Sequence, residues 1–242
     1  MKPILIMKTG QTVKSVPVEM GDFEHWIIEG MDLPVEQFRV VSVFKGEQLP
    51  ELSEISALVI TGSAAMLTDN NDWSNYSSRY IQQAVKQNIP VLGICFGHQL
   101  IAKALGGKVD FHPAGREIGT TVVSLSKEGQ QDPLFKNLKN QFYVQVSHSQ
   151  SVIELPDQAE ILASNDFESH HSLRYGENVW GVQFHPEFSA AVMKAYVTER
   201  NQDLTAEGLS VEGLLSTISE TSRAKSVLLN FAHIVLAKGL VV

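Results

Sequence analysis

Short β-branched runs that alternate with segments of helical period constrain this chain more than any other feature of its sequence. PILIM (3–7), FRVVSVF (38–44), ALVITG (57–62) and PVLGIC (90–95) read as strands. Between them, residues 22–30, 75–88 and 97–105 carry helical spacing. Tyr80, Ile81, Ala84 and Val85 share one face of the second segment, and Gly106-Gly107 closes the third. Consecutive parallel strands require crossover helices, so this order predicts an α/β fold in three layers, a mainly parallel central sheet flanked by helices. From residue 108 to about 187 the signal changes to strands without long helices: KVDFH, IGTTVVSLS, QFYVQVS, AEILASN, HHSLRY and VWGVQFH. These predict antiparallel additions at one edge of the sheet. Helical period returns after Ser189, first through Val192, Ala195 and Tyr196, then through Ala224, Val227, Leu228, Phe231, Ile234 and Val235, an apolar stripe expected to dock on the core. Between the two, NQDLTAEGLSVEGLL reads as a loop or a small helical insertion.

The 242 residues fit one domain, a core over about 1–200 with a C-terminal helical extension over about 201–242. A formal charge of −8 without any block of Lys or Arg gives no electrostatic footprint for nucleic acid or an anionic membrane surface, so neither is expected as a partner. No stretch approaches the ~18–20 apolar residues of a membrane span. The first strand has an apolar core of only residues 4–7, short of the roughly 7–15 of a secretory signal, which predicts a cytoplasmic protein. Cys95 is the single cysteine, so no internal disulfide and no multi-cysteine metal site can form. Histidines 98, 112, 148, 170 and 171 lack ligand spacing with carboxylate support, and no metal or cofactor is expected. Asp69, Asn70, Asn71 and Asp72 lack the terminal Glu of a calcium loop and read as a cap for the next helix. Glu117 reads as a structural or solvated carboxylate.

Cys95 lies where the strand PVLGI runs into a helix beginning at Gly97, in the order Gly93-Ile94-Cys95-Phe96-Gly97. This is a nucleophile elbow with sulfur in place of hydroxyl: a sharp turn lifts the side chain off the sheet, and the flanking glycines let strand and helix approach. The unpaired N–H groups of the helix start favour thiolate over thiol. The N–H of Phe96, directly after the nucleophile, is placed to donate to an oxyanion, a contribution on the order of 3–4 kcal/mol. Far downstream, His185-Pro186-Glu187 follows VWGVQF. Residues two apart on an extended strand point the same way, so His185 and Glu187 are expected side by side as a base and its orienter.

The segments GICFGHQLIAKALGG and GVQFHPEF, about ninety residues apart, resemble class I glutamine amidotransferase domains of the Cys-His-Glu type, over roughly residues 3–188. The resemblance implies a flavodoxin-like amidotransferase fold and a site in which Cys95 attacks the side-chain amide of glutamine or another small-molecule γ-glutamyl substrate. His185 would protonate the departing amine, Glu187 would orient His185, and water would hydrolyse the γ-glutamyl thioester. It implies Gly62 in VITGSAAM as the second oxyanion donor beside Phe96, and Ser63 and Gln99 at the substrate. It also implies that the backbone of VSHSQSV, through Ser147, His148 and Ser149, holds the amino-acid end.

The loop TGSAAMLTDNNDW stands where subunits feeding anthranilate-type synthases carry a Gly-Pro-Gly loop, and it is more similar to freestanding amidotransferase-like proteins, including γ-glutamyl peptidases. The leading expectation is therefore a hydrolase of γ-glutamyl C–N bonds. The second is a glutaminase subunit that delivers ammonia to a separate synthetase, since the roughly fifty residues after the amidotransferase unit are too few for a synthetase domain of ~100–150. The third is of another class, a redox or regulatory protein on the same fold with Cys95 oxidised.

Overall fold

The computed structural model describes residues 2–239; Met1 and residues 240–242, the end of the expected C-terminal extension, lie outside the described residues. The elements run β1 (Ile4–Lys8), α1 (Phe23–Met31), β2 (Phe38–Ser42), β3 (Ala57–Ile60), α2 (Asp72–Lys86), β4 (Val91–Ile94), α3 (Phe96–Ala104), β5 (Lys108–Phe111), β6 (Glu117–Leu125), β7 (Gln141–His148), β8 (Gln150–Glu154), β9 (Ala159–Ser164), β10 (Ser172–Tyr175), β11 (Val179–Val182), α4 (Ala190–Glu199), α5 (Asn201–Ala206), α6 (Val211–Thr217) and α7 (Ser226–Gly239). One sheet takes the order β2-β1-β3-β4-β11-β10-β9-β6-β7. Its first five strands are parallel, and the pairs from β11 to β7 are antiparallel. This is the expected mainly parallel sheet with an antiparallel edge.

Strand alternation sorts the core into two layers. Ile4 and Ile6 of β1 face a cluster with Ile27 and Met31 of α1 and Leu228, Phe231 and Val235 of α7. Leu5 and Met7 face the opposite cluster, with Ile81 and Ala84 of α2 and Leu100 and Ile101 of α3. The helix α7 thus belongs to the main core: Phe231 meets Trp180 edge-on at 6.1 Å. A Cβ on Gly30 would come within 2.4 Å of Leu228, so α1 and α7 touch through a glycine. A third cluster joins Phe23 and Trp26 of α1 to Phe188 and to Val192, Met193 and Tyr196 of α4. Among the described residues no helix is long and apolar enough to cross a membrane.

Three details differ from the sequence expectation, and in a fourth, over 201–215, the helical alternative is the one observed. The second strand ends at Ser42, because residues 43–45 tighten into a 3-10 turn closed by Gly46 at φ 82°. KVDFH does not join the main sheet; β5 pairs with β8 in a separate two-stranded ribbon. The segment 201–215 is two short helices, and Ser210 caps the second by accepting from Gly213 N. His170 and His171 lie in the turn before β10, not on a strand.

Candidate active site

Strands β3, β4 and β11 are adjacent and parallel, so their carboxyl ends share one edge of the sheet at neighbouring strand spacing. Gly62, Cys95 and His185 lie just beyond those three ends. This crevice outside the strand ends is where open α/β sheets place ligands.

Cys95 occupies the N-cap position of α3, which begins at Phe96 and not at Gly97. Its backbone sits at φ 51° and ψ −102°, a conformation that costs a non-glycine residue about 1–3 kcal/mol. The neighbours hold it there: Cys95 N donates to Val182 O at 2.8 Å, and Gln99 N returns to Cys95 O at 3.1 Å. Phe96 N–H belongs to the first helical turn, whose N–H groups have no intrahelical acceptors. The thiol is 6% exposed, and Sγ lies 3.9 Å from the carbonyl oxygen of Ser147.

His185 and Glu187 do meet, although not by strand alternation. The ladder of β11 stops at Val182, and the chain enters a turn pinned by a single bridge in which His185 N donates to Gln145 O at 2.8 Å. Within that turn His185 Nδ1 lies 2.7 Å from Glu187 Oε1. A carboxylate only accepts, so this contact puts the proton on Nδ1. Phe188 stacks on the imidazole at 4.0 Å and 15° and fixes its plane. Burial opposes a charge on His185, but the Glu187 carboxylate and Cys95 outweigh it and raise the imidazole to about 10.

That raised value ties stability to pH. The imidazolium is favoured in the folded protein relative to the unfolded one, so its contribution is full below about pH 6.5 and fades as pH climbs through about 10. Glu187→Gln removes the buried partner, a change on the order of 3 kcal/mol. Urea titrations should show the deficit of Glu187→Gln at its largest near pH 6 and narrowing by pH 10. A deficit that widens with pH would contradict this assignment.

Gly62 follows β3, and its carbonyl accepts from Thr9 Oγ1 at 2.9 Å. A Cβ there would stand 2.9 Å from His185 Cε1, so the absent side chain makes room for the ring. The hydroxyl of Ser63 is engaged, donating to Thr9 O just after β1 and accepting from Ala65 N of its own loop. Gln99 spends both Nε2 hydrogens inward, on Gln150 O at 2.8 Å and Gln183 Oε1 at 3.0 Å, which leaves Oε1. Ser147, His148 and Ser149 line the cleft with Cys95 and Gln99. The ring of His148 is occupied, Nδ1 against Gln150 O and Nε2 against Glu117 Oε2 at 3.0 Å, so its backbone is the part left for a ligand.

Glu117 is a structural carboxylate, not a solvated one. Burial alone would raise its pKa, yet the hydrogen bond with His148 and the nearby imidazole of His171, 3.3 Å away, hold it well below the usual carboxylate range. Burial pushes His98 down to about 3. Among the described residues no three His, Cys, Asp or Glu are grouped to hold a metal ion. Two cleft residues escape sequence reasoning, Arg116 and Arg200. Arg116 forks onto Glu207, with Nε to Oε2 at 2.9 Å and Nη2 to Oε1 at 2.8 Å, a contact between residues too far apart in sequence for any local pattern to reveal.

Comparison with known proteins agrees with this architecture. The glutamine-hydrolysing GMP synthase subunit from Sulfolobus acidocaldarius is 32% identical over 69% of this chain and 85% of its own length. An identically named protein from Methanococcus vannielii is 35% identical over 59% of this chain and 70% of its own. In fold, the chain is similar to a glutamine amidotransferase from Thermotoga maritima, with TM-score 0.73 and 24% identity over 98% of each chain. The family model Glutamine amidotransferase class-I matches residues 22–202. With that match spanning most of its length, the chain belongs to the class-I glutamine amidotransferase family.

Proposed function

We propose that the protein is a glutaminase that cleaves the side-chain amide of L-glutamine on Cys95 and passes ammonia to a separate synthetase subunit. The observation that carries the chemistry is the His185–Glu187 couple at 2.7 Å beside an elbow cysteine. Cys95 Sγ attacks the γ-carbonyl carbon, its proton resting on His185, and the oxyanion is taken by N–H groups of Phe96 and Gly62. His185 then gives its proton to the departing nitrogen, the C–N bond breaks, and ammonia leaves a γ-glutamyl thioester. Water, deprotonated by His185, attacks the thioester carbon; the C–S bond breaks and glutamate departs. Glu187 holds the ring and favours its charged form throughout. With the imidazole raised to about 10, a proton is in place for the leaving group at neutral pH.

The choice of glutaminase over γ-glutamyl hydrolase rests on the relatives, whose names describe part of a glutamine-hydrolysing GMP synthase. The Gly-Ser loop after β3 argues for a freestanding hydrolase, and the relatives outweigh it. The deep setting of Cys95, 6% exposed, suits a leaving group as small as ammonia.

Ammonia release from L-glutamine and from γ-glutamyl dipeptides tests the reading, with hydroxylamine present to trap the thioester as γ-glutamyl hydroxamate. The expected result is hydroxamate from glutamine, slow for the chain alone and at least tenfold faster once a GMP-synthase-type synthetase is added. Turnover of dipeptides faster than glutamine by the chain alone would return the assignment to a freestanding hydrolase. Absence of hydroxamate in every arm would end the thioester route.

A further inference from the structure

The cleft holds one cation that no ion pair among the described residues neutralises. Arg200, at the C-terminal end of α4, lines the same cleft as Cys95, Ser147 and Gln99. Its guanidinium is half-buried and lies over the ring of Tyr196 at 5.2 Å, while the neighbouring Arg116 has a carboxylate of its own. Burial and the charge of Arg116 both work against the proton on Arg200 and lower its pKa. The chain carries 27 acidic residues, and Glu207 is spent on Arg116, so the lack of a partner is not for want of carboxylates. Asp203 and Glu207 act on Arg200 only at a distance; a partly desolvated cation without a direct ion pair is costly, and a planar guanidinium is the group best shaped to take a carboxylate through two hydrogen bonds.

The geometry points to Arg200 as the specificity-determining residue that receives the substrate's α-carboxylate, with Arg116 held as a second cation beside it by Glu207. This rests on the glutaminase reading for the identity of the substrate. In an extended glutamyl chain the α-carboxylate stands roughly 5 Å from the γ-carbonyl carbon, so a substrate acylating Cys95 keeps its carboxylate within the cleft that Arg200 also lines. Tyr196 is the platform: it packs against Phe188, which also stacks on His185, so the subsite and the imidazole share one support. An arriving carboxylate would restore to Arg200 the charge partner that Glu207 gives Arg116.

Binding to Cys95→Ala, measured by calorimetry, separates this subsite from the chemistry. Wild-type turnover reports on the thioester; this titration does not depend on it. L-glutamine should bind Cys95→Ala at least tenfold more tightly than it binds Cys95→Ala/Arg200→Gln, whereas the α-carboxamide of glutamine should bind the two equally. Arg200→Lys should recover part of the loss, since it keeps the charge and loses the fork. Each variant is melted beside its parent, since Arg200 also packs over Tyr196, and binding is compared well below both melting points. Equal binding of L-glutamine to both proteins, or no binding to Cys95→Ala, overturns the assignment.

Discussion

Replacing Cys95 by Ala is expected to lower glutamine hydrolysis by roughly five orders of magnitude, the scale on which removal of a nucleophile acts in acyl-transfer enzymes. Cys95 is the single thiol in the chain, and a cleft hydroxyl such as that of Ser63, bound to Thr9 and Ala65, is a far weaker nucleophile. Hydroxamate formation should vanish with it while L-glutamine still binds Cys95→Ala in calorimetry, and the two readouts together distinguish loss of the thioester from loss of binding. Stability should behave differently. The φ of 51° at residue 95 strains Ala as it strains Cys, so Cys95→Ala loses only a small buried group. Cys95→Gly removes the strain and should melt at or above Cys95→Ala in calorimetry. Residual hydroxamate from Cys95→Ala would place the nucleophile elsewhere, and a Cys95→Gly variant melting well below the alanine variant would deny the strain.

The parts of this site that are legible in the sequence are those in which local pattern and tertiary position coincide. Gly93 and Gly97 around Cys95 encode a close strand-helix contact within five residues, and the order of β-branched runs encodes adjacent strands. His185 and Glu187 pair in space as their spacing suggests, but for a different local reason. Strand alternation would serve if β11 continued, whereas the ladder stops at Val182 and a turn closes the gap. The strand β8 is invisible in the sequence because its first residues are polar. Gln150 is buried only through specific bonds, accepting from Leu67 N and donating to Thr68 Oγ1, and no hydrophobic period announces such a strand. Arg116, Arg200 and Glu207 are three isolated charges on the loop before β6, the end of α4 and the end of α5. The convergence of the two arginines on the cleft, with Glu207 paired to Arg116, is set by how α4 and α5 pack, which carries no short-range signature.

Gly97→Ala is expected to cost stability on the scale of core overpacking, because the space is closed by backbone. A Cβ at residue 97 would stand 2.4 Å from Ile60 O and 2.9 Å from Ile60 Cβ, so β3 and α3 must separate. Gly93→Ala meets a wall at least as close, Gly97 O at 2.4 Å and Gly97 C at 2.5 Å with Ile101 Cδ1 at 2.6 Å, so it is expected to cost no less. Relief by moving a strand breaks ladder bonds and core contacts together, an overpacking cost of about 3 kcal/mol. For a chain of this length that lowers the melting temperature by roughly 6–12 °C. Gly106→Ala is the control: φ is 98° and nothing lies within 4 Å, so only backbone strain of about 1–2 kcal/mol is incurred. Activity should separate the two further. Moving α3 away from β3 also moves Phe96 N–H relative to Gly62, so Gly97→Ala should lose hydroxamate formation even well below its melting point, whereas Gly106→Ala keeps it. A Gly97→Ala protein that melts with the wild type and still hydrolyses glutamine would mean that this close approach does not hold the nucleophile in place.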